Sequence, residues 1–170
     1  MRPNTSIWRS ACMVTLVLAL ASCASVPTPK ADDECLVVVK SATELGQHVT
    51  ASQAGGREYQ LILDSNHKPV WIRADYTLIV VKTSAVSIRS ISTIASHGYE
   101  GPARVFDVNV RLPYESGHVV IADYVFVKRT EKAGEGSFVT RVLLRKITET
   151  ERQELENRIR QDPAFSTWKM

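Results

Sequence analysis

Cysteine is scarce in this chain of 170 residues, occurring only at positions 12, 23 and 35. So few exclude a disulfide-stapled scaffold, in which cross-links replace a hydrophobic core. Eight glycines and seven prolines are too few for a collagen-like or low-complexity chain. An excess of one charge is lacking too: 21 Lys and Arg stand against 18 Asp and Glu, a net +3. That excludes an acidic disordered tail and the dense basic face of a nucleic-acid binder, so no nucleic-acid partner is expected. The longest apolar run, Ala11 to Ala21, would make about 16 Å of helix at ~1.5 Å per residue. This is roughly half of a ~30 Å hydrocarbon core, too short for a permanent helical span. What remains is 44% apolar and 23% charged, the composition of one globular domain.

The apolar run has a place in the chain that gives it meaning. It follows a segment carrying Arg2 and Arg9 and no acid, and it ends in small residues. A basic start, a short apolar stretch and a small-residue end form the layout of an export signal. The next four residues, Leu20-Ala21-Ser22-Cys23, resemble the lipobox of bacterial lipoproteins. The resemblance implies cleavage between Ser22 and Cys23 and acylation of the Cys23 thiol, with a second acylation (palmitate-type) on its new amine. Each buried CH₂ adds ~0.8 kcal/mol, so two or more acyl chains anchor stably where one does not. The expected lipid partner is thus the membrane, reached through Cys23. Ala24 follows where an Asp would imply retention in the inner membrane, so the resemblance implies the outer membrane, facing the periplasm. The inner membrane and the cell surface are the alternatives.

From Cys23 onward the charge falls to 19 basic against 18 acidic residues. Two prolines and a polar end mark residues 23–34 as a linker that lifts a domain off the membrane. Residues 35–165 read as that domain. Val outnumbers Leu there two to one, a balance suited to pleated sheets. Cys35 to Val39 is apolar without alternation, as in a strand buried on both faces. Residues 44–57 read as a loop. Tyr59, Leu61 and Leu63 alternate with polar neighbours, and Asp64 to Lys68 turns them into Pro69–Arg73, which predicts a hairpin. Tyr76–Lys82 and Ala85–Ala95 continue the pattern, the second with a phase shift near Ile91 that implies a bulge. Phe106, Val108, Val110 and Leu112 face one side of a half-buried strand. Residues 118–127 are apolar on both faces and therefore central. Lys128 to Gly136 reads as a solvated hairpin tip, leading into Phe138–Ile147.

The expected fold is mainly β: a single β-sandwich, or small barrel, of about eight strands. Only the end changes period. Thr148 and Glu151 offer a capping box for a helix over 149–161, with Leu155 and Ile159 as its apolar stripe. Asp162-Pro163 ends it, and Phe165 and Trp168 can pack down the tail at 166–170.

Three further features carry a second resemblance. The hairpin segment Leu63-Asp64-Ser65-Asn66-His67-Lys68-Pro69-Val70, the strand Ser116-Gly117-His118-Val119-Val120-Ile121 and the closing helix before Asp162-Pro163 resemble small prealbumin-like sandwich domains of bacterial lipoproteins. That resemblance spans about residues 35–165 and implies a binding or assembly module with a protein partner in the envelope.

Chemistry-bearing clusters are few. Cys35 on an apolar strand reads as a core residue rather than a nucleophile. His48, His67, His97 and His118 lack the close spacing of a zinc site, so no metal or other cofactor is expected. A hydrolase would draw on Ser116, His118 and Asp123, or on Asp107, but no Gly-x-Ser-x-Gly elbow occurs. The ranked expectations are a non-catalytic envelope module, then a carrier of a small ligand or lipid, then a hydrolase on Ser116, His118 and Asp123.

Overall fold

A computed structural model describes residues 25–50, 57–64, 67–95 and 104–170. Eight strands form two four-stranded sheets, and one helix follows them, as the sequence predicts. The first sheet takes the order β4 (Tyr76–Val81), β1 (Cys35–Leu45), β7 (Val119–Gly134), β8 (Ser137–Lys146). In it β1 runs antiparallel to β4 but parallel to β7. The second takes the order β3 (Val70–Trp71), β2 (Arg57–Leu63), β5 (Ser87–Ala95), β6 (Val105–Arg111), antiparallel throughout. The β2–β3 pair is the hairpin expected from the turn at residue 64.

The unbroken apolar run at the start of β1 has two destinations. Cys35, Val37 and Val39 enter the core between the sheets, with Ile79, Leu61, Ile88 and Ile91. Leu36 and Val38 point the other way, into a second cluster beneath helix α1 (Glu149–Gln161). Both faces of β1 are covered, so both sets of positions are apolar. The helix contributes Leu155 and Ile159 to the second cluster, and the tail adds Phe165 and Trp168. Helix α1 therefore lies on the outside of the sandwich, and burial of each of these four side chains is worth about 1.5–3 kcal/mol.

The helix start is a complete capping box. The Thr148 hydroxyl accepts from the Glu151 backbone N–H at 3.3 Å, and the Glu151 carboxylate accepts from the Thr148 N–H at 3.1 Å. Glu151 also takes a bidentate pair from Arg145, both contacts at 2.8 Å, and lies 3.5 Å from Lys40 Nζ. The Arg145 guanidinium, above all, holds the Glu151 carboxyl far below the usual carboxylate range. One side chain thus caps the helix and ties it to strands β1 and β8.

Three expectations need correction. First, β1 does not end at Val39 but continues to Leu45, into the segment read as a loop. Its second half, Ser41 and Thr43 included, is polar yet pairs with β7 as far as Leu45↔Thr130, so hydrophobic alternation could not reveal it. Second, Lys128–Gly134 is strand, not hairpin tip. The turn is Glu135-Gly136 alone, with Gly136 at φ 72°, where a side chain would be strained. Paired hydroxyls of Thr130 and Thr140, 2.9 Å apart, sit across that ladder. Third, the linker at 23–34 is not free from Val26 onward. Val26 packs on the helix cluster, and Trp168 Nε1 donates to the Pro27 carbonyl at 2.7 Å. The Tyr114 hydroxyl donates to the Asp33 carbonyl at 2.9 Å and Gly117 N–H to the Glu34 carbonyl at 2.7 Å. Proline removes N–H donors but leaves carbonyls, and it is the carbonyls of this strap that the domain binds.

The phase shift near Ile91 takes the form of a bulge in β5, where Ile62 and Leu63 of β2 face Ser90 and Ile88 and leave Arg89 as the extra residue. On the other side β6 carries an extra residue against Ile88 and Ser90, and Asn109 there takes φ 50°, a left-handed conformation that Asn tolerates better than most residues.

Candidate functional site: a half-open pocket between the sheets

The inner face of β1 changes character halfway along. Cys35, Val37 and Val39 are followed at the same spacing by Ser41 and Thr43. On β7, Phe126 is followed two residues later by Lys128, on the same side of the sheet. The second sheet presents Tyr59 opposite, its ring 5.6 Å from that of Phe126 and tilted by 53°. Beyond this aromatic pair the sandwich does not close. A pocket of about 440 Å³ opens there, walled also by Trp71 of β3 and by Arg73 and Ala74 of the β3–β4 connection. This volume lies in the range of ~300–1,000 Å³ typical of small-molecule sites.

Two groups in the pocket are poorly provided for by the protein. Lys128 Nζ sits 6.0 Å from the centre of the Tyr59 ring, over its face. No carboxylate lies within ion-pair distance of it among the described residues. Burial alone pushes its ammonium below the ordinary lysine value. Ser41 Oγ is buried and has no hydrogen-bond partner among the described residues. An unsatisfied buried polar group costs about 1–3 kcal/mol, so such groups are rare without a reason. Trp71 adds an exposed ring, 39% accessible, at the same opening. The arrangement is a mixed lining in which aromatic rings stand beside Lys128, Arg73, Glu58 and Ser41.

The candidates from sequence lie elsewhere. The Ser116 hydroxyl donates to the Asp32 carbonyl, and His118 Nδ1 contacts the Ser116 carbonyl at 2.8 Å. Asp123 is not buried among Val119, Ile121 and Val125. It is 71% exposed at a bulge in the β1–β7 ladder and pairs with Arg152 Nη2 at 2.7 Å. Asp107 belongs to β6 in the other sheet, opposite Ser90. Each of Ser116, His118 and Asp123 is thus engaged with a different partner, and no hydroxyl–imidazole–carboxylate relay links them. Cys35 is fully buried, its sulfur accepts from the Glu115 N–H at 3.4 Å, and burial raises its thiol pKa. His67 Nδ1 lies 3.2 Å from the Asp64 carbonyl, and His48 sits at φ 60°. His97, Ser22 and Cys23 fall outside the described residues. Among the described residues no three His, Cys, Asp or Glu side chains form a metal-binding group.

The pocket was missed because Lys128 reads as part of a solvated turn once Val127 ends the apolar run. The signal that would have found it is positional: Phe126, Lys128 and Thr130 keep the spacing of two that defines one strand face. The same spacing carries Val37 and Val39 into Ser41 and Thr43.

No family model matches the chain, and no curated protein or solved structure shows significant similarity to it. The class is therefore defined by the fold: a two-sheet β-sandwich with a C-terminal helix on one outer face. No described helix is long and apolar enough to cross a membrane.

Proposed function

We propose that this chain is a lipid-anchored protein of a bacterial envelope whose sandwich is a non-catalytic binding module. The observation that carries the binding role is the half-open pocket, with Lys128 lacking a carboxylate partner and the Ser41 hydroxyl unsatisfied among the described residues. The address rests on the lipobox-like Leu20-Ala21-Ser22-Cys23, which implies acylation of Cys23 and an outer-membrane location facing the periplasm. The prealbumin-like resemblance is compatible with two facing four-stranded sheets and supports a binding rather than a catalytic role. A hydrolase on Ser116, His118 and Asp123 would need all three side chains to leave the partners they hold.

Fractionation tests the anchor. Replacing Cys23→Ala should move the protein from the membrane to the soluble fraction, and continued membrane retention would refute the lipid attachment. Crosslinking in cells from position 71 tests the role. Capture of a defined small molecule or envelope protein, lost in Lys128→Gln, supports binding through the pocket. Capture unaffected by Lys128→Gln counts against it.

Between the two kinds of ligand, the pocket favours a small polar-ended molecule over a membrane lipid. Its lining combines the aromatic wall with Lys128, Arg73 and Ser41, where a store for acyl chains calls for an apolar interior.

A further inference from the structure

We infer that the pocket takes a small apolar carboxylate: a flat or short hydrocarbon body against Trp71, Tyr59 and Phe126, with its anionic group at Lys128. The inference rests on the binding-module reading and adds the chemical class of the ligand.

Charge complementarity carries it. Lys128 projects from the inner face of a central strand, beside Phe126, into a space shielded on one side by the Tyr59 ring. A cation so placed loses hydration and gains no internal carboxylate in return. Arg73 lines the same pocket, so two cations face one carboxylate, Glu58, among the lining residues. An anion entering the pocket therefore restores what Lys128 lost on burial, through a charge-assisted hydrogen bond. Ser41 lines the same pocket with its buried hydroxyl unpartnered, and a carboxylate can accept from an ammonium and a hydroxyl at once. Carbon surface is supplied by the exposed Trp71 ring, on which a flat body can stack, and by Tyr59 with Phe126 at the floor. A hydrophilic anion such as inorganic phosphate would leave this surface unused.

The experiment compares three probes of one shape. They are 2-naphthoate, neutral 2-naphthalenemethanol and cationic 2-naphthylmethylammonium. Each is titrated into the full chain carrying Cys23→Ser, which keeps acyl chains out of the sample. The readout is the indole Nε1–H NMR signal of Trp71, assigned with Trp71→Phe. The buried Trp168 indole serves as the fold control. The expected order is naphthoate tightest, the alcohol about tenfold weaker and the ammonium weakest, tenfold being the increment of one charge-assisted contact in a half-buried site. Lys128→Gln should remove the preference for naphthoate over the alcohol, and Lys128→Arg should retain most of it.

Equal affinity for naphthoate and the alcohol would overturn the anionic assignment. Tighter binding of the ammonium would overturn it in favour of recognition by Glu58. No shift of Trp71 with any probe, while Trp168 reports a folded domain, would overturn the site. The titration does not depend on the anchor and fractionation of Cys23→Ala does not depend on the pocket, so either reading can fail alone.

Discussion

At the scale of single residues, Lys128 costs the free domain stability. Its folded-state pKa is depressed, so between that value and the ordinary 10.5 the unfolded chain binds more protons. The penalty is fully present at neutral pH and is relieved as pH rises through the depressed value towards 10.5. Lys128→Met should therefore stabilise the domain at pH 7, by at most about 1 kcal/mol or about 2–4 °C in Tm once solvent screening of the half-buried ammonium is discounted, and the gain should shrink above pH 10. Thermal unfolding followed by circular dichroism at pH 7 and pH 10.5 measures both halves. A loss of stability at pH 7 would mean that the contact with the Tyr59 ring outweighs the cost of burying the ammonium. Thr148→Ala has the opposite sign. It removes the side-chain acceptor of the Glu151 N–H and should cost about 1 kcal/mol, read as a lower urea midpoint with unchanged slope. Residues differ in how much of this the sequence shows. The Thr148–Glu151 box is local, three residues apart, and was legible. Lys128 shares its strand face with Phe126 and Thr130, which the spacing of two does carry, but it depends also on Tyr59 arriving from the other sheet, and that is not encoded within reach of its neighbours.

At the scale of elements, the strap and the helix are held by carboxylates. Glu34 is buried with its carboxylate accepting from Lys30 N–H at 2.6 Å and lying 3.4 Å from Lys82 Nζ, and these donors lower its pKa, the Lys30 hydrogen bond most. Glu151 is lowered by Arg145. Depressed carboxylates contribute stability that is fully present above the ordinary value of 4.5 and is lost as pH falls through their folded values. Acid should therefore loosen both the strap and α1. The fall in Tm between pH 7 and pH 3 should be shallower in Glu151→Gln, which also starts lower at pH 7, by about 1–2 kcal/mol. A parallel fall in the two proteins would assign the acid sensitivity elsewhere. Trp168→Phe should keep most of the packing of the tail but lose the Nε1 bond to the Pro27 carbonyl. Trypsin should then cut after Lys30 faster than in the unaltered chain, with little change in global Tm. Strand existence was legible because burial imposes alternation on β2, β4 and β6. Strand length was not, because the outer halves of β1 and β7 are ordered by backbone pairing to each other across a parallel crossover. Side-chain polarity there looks like loop. The strap was illegible for a similar reason: its fixing groups are carbonyls, which every residue has.

At the scale of the whole molecule, the strap decides how an anchored domain would stand. With acyl chains on Cys23, only Ala24 and Ser25 separate the anchor from Val26, which is packed under α1. Three residues reach about 10 Å at most. The end of the sandwich carrying Val26, Trp168 and the chain terminus would then lie against the headgroups rather than stand off on a spacer. The pocket lies further along β1: from Cys35 to Thr43 is about 26 Å at ~3.3 Å per residue. Its mouth would thus be displaced from the bilayer and open to the periplasm, which suits a soluble carboxylate better than a lipid drawn from the membrane. Single cysteines for a fluorophore at Met170 and at Ala74 test this arrangement in vesicles, since the proposed acylation would occupy Cys23 and burial protects Cys35. A quencher on the lipid headgroups should dim the label at 170 several-fold more than the label at 74. Ten Gly/Ser residues inserted between Ser25 and Val26 should remove most of the difference, because the domain would then be free to lift and turn. Equal quenching in the parent protein would mean that the strap detaches on the membrane. Stronger quenching at 74 would place the pocket at the lipid surface and return lipid carriage as the better reading of this fold.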